Sequence, residues 1–269
     1  MSFSIAGKTA IVTGAANGVG LAIARHFVEE GANVVFADMD EQGLAAELGD
    51  LADEEGSARV FTGDLREHLT IANLLSATID AFDKVDILIN ASRQVVHSDP
   101  LDPEADSVEM LLQQNLMTSL RLSQLVAKRM MAQAEANGQS EGMVGSIVNL
   151  SSIAARRTRP ELLGYSVSTA ALDQMTRSLA VALAPHRIRV NSVAFGSVMS
   201  ASLQGALQEH AGYREVITDH TPLARIASAR EVAEAVQFLA SDSAGFVTGQ
   251  IMTVDGGRTL LDPVTSPAH

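Results

Sequence analysis

Short, uninterrupted apolar runs alternate with longer stretches of helical periodicity along the whole chain. Thr9–Thr13, Asn33–Ala37, Ala58–Thr62, Asp86–Asn90, Ser146–Leu150, Ile188–Val193 and Gln250–Val254 read as strands. Most are continuous Val/Ile/Leu runs rather than alternating ones, the pattern of strands covered on both faces of a parallel sheet. Helical periodicity predicts helices over Gly18–Glu30, Glu41–Glu54, Glu67–Phe82, Asp106–Ala134, Gly164–Ala184 and Ala229–Ala240, with Gly31 ending the first. Strand–helix alternation from end to end implies an α/β fold, a three-layer doubly wound parallel sheet with right-handed crossovers. No segment resembles another, so a repeat architecture is not expected. A Ser/Met/Leu/Gln-rich stretch at 196–220 sits where a substrate lid would lie, and 258–269 reads as a C-terminal arm.

The first predicted strand runs into Thr13-Gly14-Ala15-Ala16-Asn17-Gly18-Val19-Gly20, which opens a helix. Glycines there let backbone approach a pyrophosphate, and the helix N-terminus offers free N–H groups and the positive end of its dipole. A glycine motif alone is weak; between a strand and a helix it marks a dinucleotide-binding Rossmann fold. Gly14, Asn17, Gly18, Val19 and Gly20 are therefore the candidate phosphate cradle. Asp38 follows the second strand, where a carboxylate can accept hydrogen bonds from ribose hydroxyls and repel a 2′-phosphate, favouring NAD(H) over NADP(H). It could instead cap the next helix. Asp64 and Leu65 follow the third strand, where an adenine edge could rest; Asp64 could equally cap the helix beginning near Glu67.

Composition narrows the partners. In 269 residues, 46% are hydrophobic, enough for one large core covering 1–269 as a single domain. A net charge of −13 argues against nucleic acid and against anionic lipid surfaces. With no cysteine, disulfides, thiol catalysis and thiolate metal sites are excluded, and no metal site is expected. No basic segment leads into a long apolar run, so a soluble cytoplasmic protein with no membrane span is expected.

The motifs together resemble the short-chain dehydrogenase/reductase family over nearly the whole chain. The glycine pattern is Thr13–Gly20, the fifth-strand pattern Ile147–Ser152, the tyrosine segment Tyr165–Thr169, the sixth-strand pattern Arg189–Gly196 and the C-terminal pattern Thr248–Gly257. The resemblance implies hydride transfer between a nicotinamide cofactor and a small alcohol or ketone. It implies Tyr165 as acid–base group, with Ser152 and Asn115 beside it, and Asn90, Ala91, Tyr165, Thr169, Gly196 and Val198 along the cofactor. It also implies a homotetramer, for which the apolar faces of the two long helices, with Leu111, Leu112, Leu116, Leu120, Ala171, Leu172, Met175 and Leu179, are suited.

Three positions depart from the family's pattern. The lysine expected four residues after the tyrosine is Thr169, the segment aligned with the family's Asn-Asn-Ala-Gly is Asn90-Ala91-Ser92-Arg93, and Phe195 stands where the family has proline. In the family the lysine holds the ribose and its charge favours ionised tyrosine; an unperturbed tyrosine titrates near pH ~10 and is about 0.1% ionised at neutral pH. Oxidation, which needs a base, should suffer more than reduction. Arg156, Arg157 and Arg159, or Arg93, could restore the charge or bind an anionic substrate, or the arginines could lie in a solvated loop or pair with a neighbouring subunit. His97 is expected to be structural or to face solvent. The alternatives to an active oxidoreductase are a catalytically impaired NAD-binding sensor or structural subunit, and a subunit whose catalytic partner is another chain.

Overall fold

A computed structural model describes residues 3–48, 56–104, 106–210, 212–262 and 264. Seven strands form one parallel sheet: β1 (Thr9–Thr13), β2 (Asn33–Asp38), β3 (Ala58–Thr62), β4 (Ile87–Asn90), β5 (Gly145–Ser152), β6 (Ile188–Phe195) and, after the two strands of a small second sheet, the edge strand Ile251–Val254. The small sheet pairs β7 (Val198–Met199) with β8 (Ala227–Ser228), so the edge strand is β9. The order β3-β2-β1-β4-β5-β6-β9 reverses direction between β1 and β4, the switch point where doubly wound sheets open a crevice. The continuous apolar runs have their expected outcome, since β1 and β6 are buried at every position.

Helices cover both faces. On one side α1 (Gly18–Glu29) packs against α9 (Ala229–Ala240), and Phe27, Ile23, Val232 and Val236 join Val12, Val34 and Ile89 in one core. On the other, α3 (His68–Phe82), α5 (Thr118–Ala136) and α6 (Leu163–Leu183) enclose Ile11, Leu74, Leu88, Leu122, Val126 and Ile147. The remaining helices are α2 (Glu41–Leu48), α4 (Val108–Leu111), α7 (Ala201–Glu209) and α8 (Tyr213–Asp219). At its start α9 has a capping box: the Ser228 hydroxyl accepts the Glu231 N–H and the Glu231 carboxylate accepts the Ser228 N–H. Arg225, with Ser228 assisting, holds the Glu231 carboxyl down to about 2. At its end the buried Arg189 guanidinium donates to the carbonyls of Leu239 (2.6 Å) and Ser241 (3.0 Å), satisfying oxygens the helix itself leaves open.

One element differs from expectation. The helix predicted over Asp106–Ala134 is not continuous: α4 passes into a π-helical turn at Leu112–Met117 before α5 begins. The second helix is described over Glu41–Leu48, and the remainder of its predicted span lies outside the described residues. Within 196–220 the described residues include β7, α7 and α8. The described start of the predicted arm is a 3-10 turn at Arg258–Leu260, tied back by Arg258 to the Ser197 hydroxyl (3.0 Å); residues 263 and 265–269 lie outside the described ones. Among the described residues no helix is long and apolar enough to cross a membrane.

Candidate active site

The turn from β1 into α1 is built by backbone close approach. Gly14 has φ +66°, and a Cβ there would lie 2.8 Å from the Ser92 Cα and N, so this turn and the segment after β4 touch main chain to main chain. A Cβ on Gly20 would lie 2.1 Å from the Gly14 carbonyl oxygen. Gly18, by contrast, has φ +58° and open space where a side chain would stand. Asn17 precedes the helix, and its side chain makes no capping bond to the first turn. Val19 packs partly buried against the core. Open space before an uncapped helix N-terminus leaves room for a pyrophosphate.

Asp38 ends β2 beside this turn. Its carboxylate accepts the N–H of Ala16 (3.0 Å) and of Asp40 (3.1 Å), which fixes it against the glycine turn and not as a cap on α2. Leu65 is buried with Ala37 and Ile71. Asp64 does not cap α3, whose N-cap is Glu67. It binds Arg66 instead, at 2.6 to 3.0 Å, and this side-chain hydrogen bonding holds its carboxyl below the ordinary value.

After β4 the chain is pinned from two sides. Thr13 Oγ1 accepts the N–H groups of Ala91 and Ser92, both at 3.0 Å. Farther along, Asn115 Oδ1 accepts the Gln94 N–H (2.8 Å), while Asn115 Nδ2 donates to the Gln94 carbonyl (3.0 Å) and the Ser168 hydroxyl (3.1 Å). Asn115 reaches inward from the π-helical turn, whose extra residue breaks the α-helical spacing. It thereby links the loop after β4 to α6. Asn90 turns its side chain into the core, donating to Ser123 (3.0 Å) and Asn149 (2.8 Å), so only its main chain and Ala91 border the crevice.

Tyr165 lies in the first turn of α6, only 4% exposed, packed with Leu111 and Ala154. Ser152 ends β5, and its hydroxyl accepts the Ala154 N–H (3.1 Å), starting the short turn that packs on α6. Thr169 is buried one helical turn after Tyr165, and its hydroxyl faces carbonyls of its own helix, Tyr165 (2.9 Å) and Ser166 (3.2 Å). Gly196 donates its N–H to Val254 (3.2 Å), and Val198 is buried where β7 pairs with β8.

The cation at the tyrosine is Arg93. Its Nη1 lies 2.7 Å from the Tyr165 hydroxyl, and its guanidinium carbon stands 4.3 Å from the centroid of the Phe195 ring. Arg156, Arg157 and Arg159 do not reach Tyr165. They are exposed and bind Thr253 Oγ1, the Thr259 carbonyl and Glu161 respectively. His97 is exposed, as expected. A cleft of about 630 Å³ lies beside these arginines, lined by Arg156, Ser197, Leu223, Val254, Asp255 and Thr259 among others, with neither Tyr165 nor Gly14 in its wall. The sequence offers Arg93 only as one of several candidate cations and marks Phe195 only as a departure from the family's pattern. No local signal at either position points to the other; only the fold brings them together.

Comparison with known proteins agrees with this geometry. The family profile described as enoyl-(acyl carrier protein) reductase matches residues 14–259. The chain is 31% identical over 256 residues to a glucose 1-dehydrogenase of Gluconobacter oxydans, covering 95% of this chain and 93% of that one. It superposes with TM-score 0.84 and 28% identity on a gluconate 5-dehydrogenase of Burkholderia cenocepacia solved with NADP and tartrate, over 97% and 98% of the two chains. A 7α-hydroxysteroid dehydrogenase solved with NADH and 7-oxo glycochenodeoxycholic acid superposes with TM-score 0.85 and 29% identity, over 95% of each.

Proposed function

Since the chain belongs to the short-chain dehydrogenase/reductase family, we propose that it is an NAD(H)-dependent oxidoreductase acting on a small alcohol or the corresponding carbonyl compound. The observation that carries this is the buried Tyr165 hydroxyl in hydrogen-bond contact with an arginine at the sheet's switch point. Gly14, Asn17, Gly18, Val19 and Gly20 would hold the pyrophosphate, and Asp38 the adenine ribose. Leu65 would border the adenine, and Ala91, Gly196 and Val198 the nicotinamide half. When bound, the nicotinamide accepts or donates the hydride. In the oxidative direction Tyr165 takes the hydroxyl proton of the alcohol as its C–H electron pair leaves as hydride; in reduction it returns that proton to the carbonyl oxygen. Ser152 would hydrogen-bond the same oxygen. Asn115, with its amide bonded to Gln94 and Ser168, keeps the loop after β4 and α6 in register. Residues 196–220 would close over the substrate.

NAD(H) is preferred in this reading because Asp38 is held rigidly at the end of β2, where its charge opposes a 2′-phosphate. Calorimetric titration with NADH and NADPH tests this. The expected result is tighter binding of NADH and a narrowed preference in Asp38→Ala; equal affinities in the unmodified protein would refute it. One observation favours a second reading, an NAD-binding protein of low turnover: the Thr169 hydroxyl is turned onto its own helix and offers no charge. Loss of well-matched acid–base catalysis costs roughly 10²–10⁴-fold.

A further inference from the structure

Arg93, Thr169 and Phe195 are the three places where the sequence departs from the family's motifs, and around Tyr165 the structure brings them together. We propose that Arg93 supplies at Tyr165 the positive charge that position 169 lacks, and that Phe195 is the face that holds the guanidinium there. The inference rests on the reading of Tyr165 as the proton-transfer group.

The placement of Arg93 is built on both sides. The Thr13 hydroxyl and the Gly14 main chain fix Ala91 and Ser92, while Asn115 fixes Gln94 through two bonds. Arg93 therefore leaves a short segment anchored at each end. Its guanidinium then lies over the Phe195 ring, within the range of a cation–π contact, and 6.0 Å from the Tyr165 ring centroid. A proline at 195 would offer no aromatic face. The apolar side chains packed with Tyr165 are Val96, Leu111, Ala154 and Leu162, and the Arg93 guanidinium meets its hydroxyl. Among the described residues no carboxylate pairs with Arg93, in a chain of net charge −13. An arginine is always charged and tolerates partial desolvation better than an ammonium. Its hydrogen bond to an anionic oxygen is stronger than to a neutral one, so it favours Tyr165 in the form that takes a proton. The charge reaches the phenol from the loop after β4 instead of from the tyrosine's own helix.

The chain has two tyrosines and no tryptophan, which makes the idea directly measurable. Tyr213 lies on α8, half-exposed and stacked on His210, so Tyr213→Phe leaves Tyr165 as the single phenolate chromophore. In that background, near-ultraviolet absorbance is followed against pH for the parent, Arg93→Met, Arg93→Lys, Phe195→Leu and Arg93→Met/Thr169→Lys. An opposite charge this close shifts a titration by about 1–3 pH units. Arg93→Met should therefore give a phenolate midpoint measurably above the parent's. Arg93→Lys and Phe195→Leu should fall between, and the double variant should return towards the parent. An unmoved midpoint in Arg93→Met, with native circular dichroism, overturns the proposal. So does tighter NADH binding with faster reduction of 2,3-butanedione in Arg93→Met, since Arg93 would then be an obstruction. Tyr165→Phe that reduces 2,3-butanedione as fast as the parent would instead overturn the reading of Tyr165 as the proton-transfer group, whatever the midpoints show.

Discussion

Adding one methyl group at Gly20 or at Gly18 should separate the structural from the binding role of the glycine turn. At Gly20 the new Cβ would lie 2.1 Å from the Gly14 carbonyl oxygen and 2.7 Å from its carbon, both main-chain atoms that cannot swing aside. Overpacking of this kind costs about 1–3 kcal/mol, and a backbone-on-backbone clash belongs at the upper end. Alanine's helix propensity, about 1 kcal/mol better than glycine's, offsets part of it. A net loss of about 2 kcal/mol in a domain this large corresponds to a melting temperature roughly 4–8 °C lower. At Gly18 the Cβ meets nothing, and the φ of +58° costs about 1–2 kcal/mol for an L residue. Part of that is recovered through the stiffer unfolded chain, about 0.4–1 kcal/mol, leaving a shift of only a few degrees. The Gly18 methyl would nonetheless occupy the open space in front of α1. Thermal melts and NADH titrations of both variants should show Gly20→Ala losing stability and affinity together, and Gly18→Ala losing affinity by at least about tenfold at nearly parental stability. If Gly20→Ala melts with the parent and binds NADH equally well, the close-approach argument is wrong. If Gly18→Ala binds normally, the phosphate does not sit against that turn.

Two further outcomes are expected. Burial pushes the Asp173 carboxyl up from its ordinary value despite Ser151, Arg156, Arg177 and Ser192 nearby, so the folded protein holds that proton to higher pH than the unfolded chain does; the cost to stability appears as pH rises above the unfolded value near ~4. Asp173→Asn should raise the melting temperature at pH ~8 and gain little at pH ~4, and a less stable variant at the higher pH would contradict this. Leu163, Val167 and Val181 project from the outer face of α6, with Val181 77% exposed, as expected of a helix that packs on the sheet and on a second copy. Light scattering at micromolar concentration should therefore give a homotetramer, and a monomer would rule it out.

The alternation of buried strands and amphipathic helices was legible along the chain because each local pattern has one period and one partner surface. Thr9–Thr13, Ile188–Val193 and Ala229–Ala240 could be placed within a residue or two for that reason. The glycine turn and the positions of Asp38, Ser152 and Tyr165 were equally readable, since each belongs to a contiguous motif. Other features had no such local signature. The π-helical turn at Leu112–Met117 inserts one residue into a helix whose composition is unremarkable, so nothing in Gln113-Gln114-Asn115 announces it. Asp64 could equally cap α3 or border the adenine, and only the structure shows its side chain bound to Arg66 and not to the helix start. Above all, the sequence sets Thr169 where the resemblance expects a lysine and offers Arg93, Arg156, Arg157 and Arg159 as cations, but cannot say which arginine meets the tyrosine. Proximity between the ends of β4, β6 and the start of α6 is set by strand order and by packing of the main chain at Gly14, not by distance along the chain. Only the tertiary structure puts Arg93 between Phe195 and Tyr165, because the contact joins three segments that no local pattern links.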